Sequence, residues 1–265
     1  MPAGLVVVRG TVTNPNSGEV GVTVNSFSAG VQGNTFAASV VVTPDTTSLT
    51  ATATTPGGAS ATQTINIAVS NPAVSAGDLF ASPTGGVAPL TVKFSLRTNA
   101  DVTQVTLDAD SDGIVDFAGA LLDQQPFTYA QPGVYVATAT ATDAQGVQRS
   151  SNVLVQVFDR SQLDALLQSR WSSLRDSLIA RDIARALDQL IASERERYGA
   201  LFNQLGDILT SLGTDMPTLQ AIYLDAGHAK YRLRREQTVG GVPTQITYFV
   251  YFSIDSDGIW RIDSF

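Results

Sequence analysis

The spacing of apolar residues changes once along this chain, and that change limits what it can fold into. From Leu5 to Val157 apolar and polar residues alternate, the period of strands with one face turned inward. From Phe158 the spacing becomes three and four. Leu163, Leu166, Leu167, Trp171, Leu174 and Leu178 then share one helical stripe. One element cannot satisfy both periods, so the sequence predicts a β-rich part followed by an α+β part.

In the first part VVVRGTVT, VGVTVN, NTFAASVVVT, SLTATATT and ATQTINIAV read as strands. NPNSGE, SFSAGVQGN, PDT and TPGGAS supply the Gly, Pro, Asn and Asp of their connections. The GTVTNP opening, VTVNSFSAGVQGNTFAASV and TATATTPGGASAT resemble a bacterial immunoglobulin-like module of the glucodextranase B-domain type, over residues 1–71. SNPAVSAG reads as a short linker. After it come APLTVKFS, LDADSDGIVDF and YAQPGVYVATATATDAQG. Tyr129, Pro132, Gly133, Tyr135, Asp143 and Gly146 carry a resemblance to the PKD domain over residues 76–158, with Leu107 where that family usually has Trp. Both resemblances imply β-sandwiches, and the PKD resemblance implies a binding or spacer module of surface proteins and secreted hydrolases.

The last part opens with Ser161 and Asp164 at capping-box spacing. Asp182 is a suitable N-cap for a second helix burying Ile183, Leu187, Leu190 and Ile191. A third helix is expected to bury Tyr198, Leu201, Phe202, Leu205, Ile208, Leu209 and Leu212, and to end at Gly213. Strands are expected at residues 218–224, 229–235, 245–254 and 259–265, joined through DAG, GGVP and DSDG. This order, with the terminal GIWRIDSF, resembles the nuclear transport factor 2-like (cystatin-like) domain over residues 159–265. That resemblance implies a curved sheet wrapped around a helix, often with a pocket. The expected architecture is multidomain: two all-β immunoglobulin-like sandwiches, then an α+β cone of three helices and a curved antiparallel sheet.

Charge narrows the partners. Net charge is −8, and residues 1–159 hold eleven Asp/Glu against four Lys/Arg. An acidic surface of this kind argues against nucleic acid. The absence of Cys excludes disulfides and thiolate chemistry. No run approaches 18 apolar residues, so no transmembrane segment is expected. MPAGLVVVRG lacks the basic stretch and cleavage site of a signal peptide, and the expectation is a piece of a longer exported protein.

The sharpest chemical pattern is DADSDGIVD. Asp108, Asp110 and Asp112 alternate, Gly113 permits a tight turn, the Ile114 carbonyl takes a backbone-ligand position, and Asp116 follows. This matches the first half of an EF-hand-like calcium loop, while Gly119 stands where a bidentate acid would complete it. Two readings stay open for this loop: a solvated acidic turn, or a site for a structural calcium ion. His228 is the single histidine, sits at a strand start, and lacks a G-x-S-x-G elbow, so no catalytic residues are assigned. Tyr223, Tyr231, Tyr248 and Tyr251 are the candidates to line a cone pocket, against the alternative that they pack the sheet. Lys230, Arg232 and Arg234 alternate on one strand face.

These readings converge on a non-catalytic, modular protein of the extracellular space, cell surface or periplasm, acting as spacer, adhesion or docking region. Its expected partner is a protein or glycan at a cell surface, with self-association available through sheet edges. Two other classes stay open: the accessory region of a secreted carbohydrate-active enzyme, and small-molecule binding or catalysis in the cone pocket.

Overall fold

A computed structural model describes residues 3–14, 18–70, 77–98, 101–225 and 227–265, with the Val239 side chain excepted. The chain divides into two compact units, 1–159 with 256–258 and 160–255 with 259–265. The expected linker at 71–76 lies outside the described residues.

In the first unit, strands β1 (Gly4–Thr11), β2 (Gly21–Val24), β3 (Phe27–Ser28), β4 (Gly30–Gln32), β5 (Thr35–Val42), β6 (Ser48–Thr54) and β7 (Ser60–Asn66) come first. They form two antiparallel sheets, ordered β1-β5-β4 and β3-β2-β6-β7. Alternation puts Phe36, Ala38, Val40 and Val42 of one sheet against Val22, Val24 and Leu49 of the other, in a single core. SFSAGVQGN, expected as a connection, carries β3 and β4. Asn25 and Ser26 adopt positive φ, so the chain reverses at once and pairs again.

The same unit continues with β8 (Asp78–Ser82), β9 (Gly85–Val87), β10 (Leu90–Arg97), β11 (Val102–Asp108), β12 (Phe117–Gly119), β13 (Gln125–Tyr129), β14 (Gly133–Asp143) and β15 (Gln148–Phe158). Sheets β13-β10-β8 and β12-β11-β14-β15-β9 enclose a second core. Val92, Phe94 and Leu96 of β10 meet Val105, Leu107, Ala137, Ala139 and Val155 there. Leu107, where the resembled family has Trp, is fully buried, and a smaller side chain fills its place. Strand β15 pairs antiparallel with β14 and parallel with β9. A Cβ on Gly30 would stand 3.2 Å from Val134, so the two sandwiches touch at β4 and β14.

The second unit holds α1 (Arg160–Ala180), α2 (Ile183–Leu187), α3 (Arg195–Leu205) and α4 (Ile208–Thr214), then β16 (Gln220–Leu224), β17 (His228–Val239), β18 (Val242–Ile254) and β19 (Trp260–Ser264). The four strands form one antiparallel sheet in sequence order. Helix α1 buries Leu163, Leu167, Trp171, Leu174 and Leu178. Asp182 caps α2, its carboxylate accepting the Arg185 N–H at 3.0 Å. The expected third helix is two helices. Gly206, at φ +49°, ends α3 and redirects the chain, which leaves Leu201 and Ile208 exposed instead of buried.

Gly213 lies inside α4, not beyond it. A Cβ there would come 2.8 Å from Ile179 Cγ1 and 3.0 Å from the Arg175 carbonyl oxygen, so glycine lets α4 approach α1. The β17–β18 hairpin is longer than expected because Gly240 and Gly241 alone make its turn, both at positive φ. Among the described residues no helix is long and apolar enough to cross a membrane. Gly213→Ala is expected to destabilise the protein by about 1–3 kcal/mol through overpacking, read as a lowered thermal midpoint.

Candidate functional site

The acidic loop leaves the end of β11 and returns through β12. Its backbone is folded by its own carboxylates. Asp108 accepts the Ser111 N–H at 2.7 Å and the Gly113 N–H at 3.1 Å. Asp112 accepts the Ile114 N–H at 2.7 Å, and Asp116 accepts that of Ala109 at 2.7 Å. Gly113 and Ser111 both have positive φ, which turns the chain tightly enough to close these bonds. The Ser111 hydroxyl donates to the Val136 carbonyl at 2.7 Å, fixing the loop to β14.

Below the loop, Tyr129 is buried and its hydroxyl donates to the Ala109 carbonyl at 2.7 Å. Its ring packs 4.5 Å from that of Tyr135 and 4.9 Å from that of Phe127. Burial, aided by Asp110 and Asp116, pushes the Tyr129 hydroxyl well above the usual tyrosine range, so it stays a donor.

Asp108, Asp110 and Asp116 each offer a carboxylate oxygen within 4.8 Å of the others. Two oxygens bound to one calcium ion at about 2.4 Å can stand no more than about 4.8 Å apart. This donor set therefore fits a hard cation. Asp112 stands outside the group of three, its Oδ1 bound to the Ile114 N–H, and the Ile114 side chain is exposed. Burial first, then the charges of Asp112, Asp116 and Asp108, raise the Asp110 carboxyl above its ordinary value of 3.8. The backbone N–H of Asp112 opposes that shift.

In the second unit an open apolar hollow of about 120 Å³ is lined by Trp171, Leu212, Met216, Leu233, Tyr248 and Phe265, with Arg235 also on its wall. The Trp171 indole donates to the Pro217 carbonyl at 2.9 Å. Of the four candidate tyrosines only Tyr248 lines this hollow. Tyr231 is fully buried, and its hydroxyl donates to Asp164 at 2.6 Å. Burial and that bond raise the Tyr231 hydroxyl far above its ordinary value. Asp164, expected in a capping box, thus ties α1 to β17.

Tyr223 is exposed, and Tyr251 shares the opposite sheet face with Lys230, whose Nζ stands 4.1 Å from the Phe249 ring centre and 5.2 Å from that of Tyr251. His228 is exposed, with Nδ1 3.2 Å from Ser253 Oγ. Asp255 of the DSDG turn pairs with buried Arg261 at 2.8 Å. Sequence reasoning missed Trp171 and Phe265 as hollow-lining residues, because helix periodicity marks Trp171 only as core. Their rings meet edge-on at 5.6 Å.

Two substitutions test the loop. Tyr129→Phe leaves the Ala109 carbonyl without its donor and is expected to cost about 1–3 kcal/mol in denaturant unfolding. Asp110→Asn is expected to raise the melting temperature at pH 7 in chelator. A carboxyl whose folded value is raised favours the fold only while protonated. That contribution is present below about 3.8 and is lost as pH rises through the raised folded value. The advantage of Asn should therefore shrink as pH falls through the carboxylate range.

No family model matches the chain, and no curated protein matches it. Among solved structures, the fibronectin(III)-like modules of Clostridium thermocellum CbhA align with 60% of this chain and 87% of theirs, at 13% identity and a TM-score of 0.25. SGBP-B of the Bacteroides ovatus mixed-linkage glucan utilization locus aligns over 60% of this chain and 42% of its own, at 11% identity and 0.20. The human desmocollin-1 ectodomain aligns over 58% of this chain and 30% of its own, at 11% identity and 0.21. Scores this low do not establish a shared fold, and the β-sandwich architecture rests on the sheets and cores themselves.

Proposed function

We propose that this chain is a non-catalytic, exported modular protein, a spacer and docking region whose second sandwich is stiffened by calcium. The PKD-like and nuclear transport factor 2-like readings of its second and third modules belong to this proposal. The observation that carries it is the convergence of Asp108, Asp110 and Asp116 on one point at the end of a sandwich sheet. A cation there offsets both the burial and the neighbouring carboxylate charges that raise the Asp110 carboxyl, and ties β11 to β12. Its chemistry is cross-linking of the loop, with Asp112 and the Ile114 carbonyl as further oxygen donors. The partner in this reading is a protein or glycan at a cell surface.

A second reading has one observation behind it. The apolar hollow suits a small apolar molecule, with Arg235 on its wall held by Asp215, whose carbonyl accepts from the guanidinium at 2.9 Å.

Native mass spectra of the purified chain address both. With calcium, one added ion is expected, lost on chelation and lost in Asp116→Asn. At 100 times the dissociation constant such binding stabilises the fold by about 2.7 kcal/mol, so the melting temperature should rise by several degrees. No adduct at millimolar calcium would reduce the loop to a solvated turn. A co-purified small molecule, lost in Trp171→Ala, would put the second reading first.

A further inference from the structure

Among the described residues strand β7 is an unprotected open edge. It closes the sheet β3-β2-β6-β7, and all seven of its side chains are exposed, on both faces. Other edges of the protein are blunted. Strands β3, β4, β9 and β12 have two or three residues; β13 carries Pro126, β8 Asp78, β1 Arg9, and β19 Arg261 and Asp263. Strand β16 is short and bulged. Strand β7, SATQTIN, has neither charge nor proline, and β2, β3 and β6 contain no Asp, Glu, Lys or Arg either.

The ladder fixes which groups of β7 face outward. The Thr55 N–H donates to the Ala59 carbonyl and the Ile67 N–H to the Thr47 carbonyl, so odd-numbered residues of β7 bond to β6. The backbone N–H and C=O of Ser60, Thr62, Thr64 and Asn66 point to the open side. Among the described residues no strand pairs with them.

We infer that β7 pairs antiparallel with β7 of a second copy, joining two four-stranded sheets into one. Charge picks this occupant. Two copies of a chain with net charge −8 repel at most approaches, and an uncharged sheet lets them meet without like-charge contact. Self-pairing about Gln63 uses the whole strand: Gln63 opposes Gln63, Thr62 opposes Thr64, Ala61 opposes Ile65 and Ser60 opposes Asn66. Small then meets large on one face, and threonines pair on the other. The protein's own sheet already makes such a pair, with the Thr50 and Thr64 hydroxyls 2.9 Å apart. The two-fold is isologous and closes at a dimer.

The interface is small, so the dimer is expected to populate at about 100 µM rather than at nanomolar concentration. Sedimentation velocity across that range should show it, more strongly at high than at low salt, because salt screens the repulsion between two copies of net charge −8. Thr62→Pro removes an outward N–H without breaking a bond to β6, and should leave the chain folded and monomeric. Thr62→Lys, which adds a charge to the same edge, should do likewise. In this chain without cysteine, Gln63→Cys lies on the two-fold and should oxidise to a covalent dimer. Asn66→Cys, with its copies about 20 Å apart, should stay monomeric under the same oxidation. A wild-type chain that is monomeric to about 1 mM would overturn the inference. So would a dimer that survives both Thr62 substitutions, or cross-links equally well through residues 63 and 66.

Discussion

The hydroxyl of Tyr129 holds the acidic loop in place. Tyr129 belongs to one sheet of its sandwich, and Ala109, whose carbonyl it reaches, follows β11 of the other. A buried donor and a buried acceptor each need a partner, and here each is the other's. The bond therefore crosses the sandwich and fixes the height of the loop above the core. Asp108 and Asp116 then fold the loop through backbone N–H groups, and Ser111 closes it onto β14. Each of the three converging carboxylates accepts a backbone N–H of the loop itself.

The second unit is organised in the same manner. Tyr231, deep between helix and sheet, reaches Asp164 of α1, and Arg261 in the sheet reaches Asp255. Of these groups the sequence marks only Tyr231 as a candidate to line a pocket. Their geometry commits each to a partner that holds one element against another, and an unpaired buried charge would be costly. The hollow lies elsewhere, where Trp171, Tyr248 and Phe265 leave an apolar recess.

Much of this was legible beforehand, for identifiable reasons. Alternation marks faces, so Val22, Val24, Val40 and Val42 read as core, as did the α1 stripe from Leu163 to Leu178. Asp182 reads as a cap because a carboxylate before a helix has N–H groups to accept. The break at Gly206 was not legible, since glycine in a helical pattern can either end it or serve a close approach, and here Gly206 does the first and Gly213 the second. The strands β3 and β4 were missed because turn-rich composition conceals short pairings. At the acidic loop the residue types were readable, but not which carboxylates converge. Asp112 and Asp116 accept different N–H groups, and only Asp116 joins Asp108 and Asp110.

The parallel pairing of β15 with β9 gives the second sandwich a direction of mechanical strength. Gln156, Val157 and Phe158 lie beside Gly85, Gly86 and Val87 with both strands running the same way. Tension applied through the chain pulls β9 from its beginning and β15 from its end, which slides the two past each other. All bonds of the pair then carry load together, unlike a hairpin pulled at its open end, where bonds fail one at a time. Strand β8, paired antiparallel with β10 ahead of this clamp, contributes only Leu79 and Ala81 to the core and can yield first.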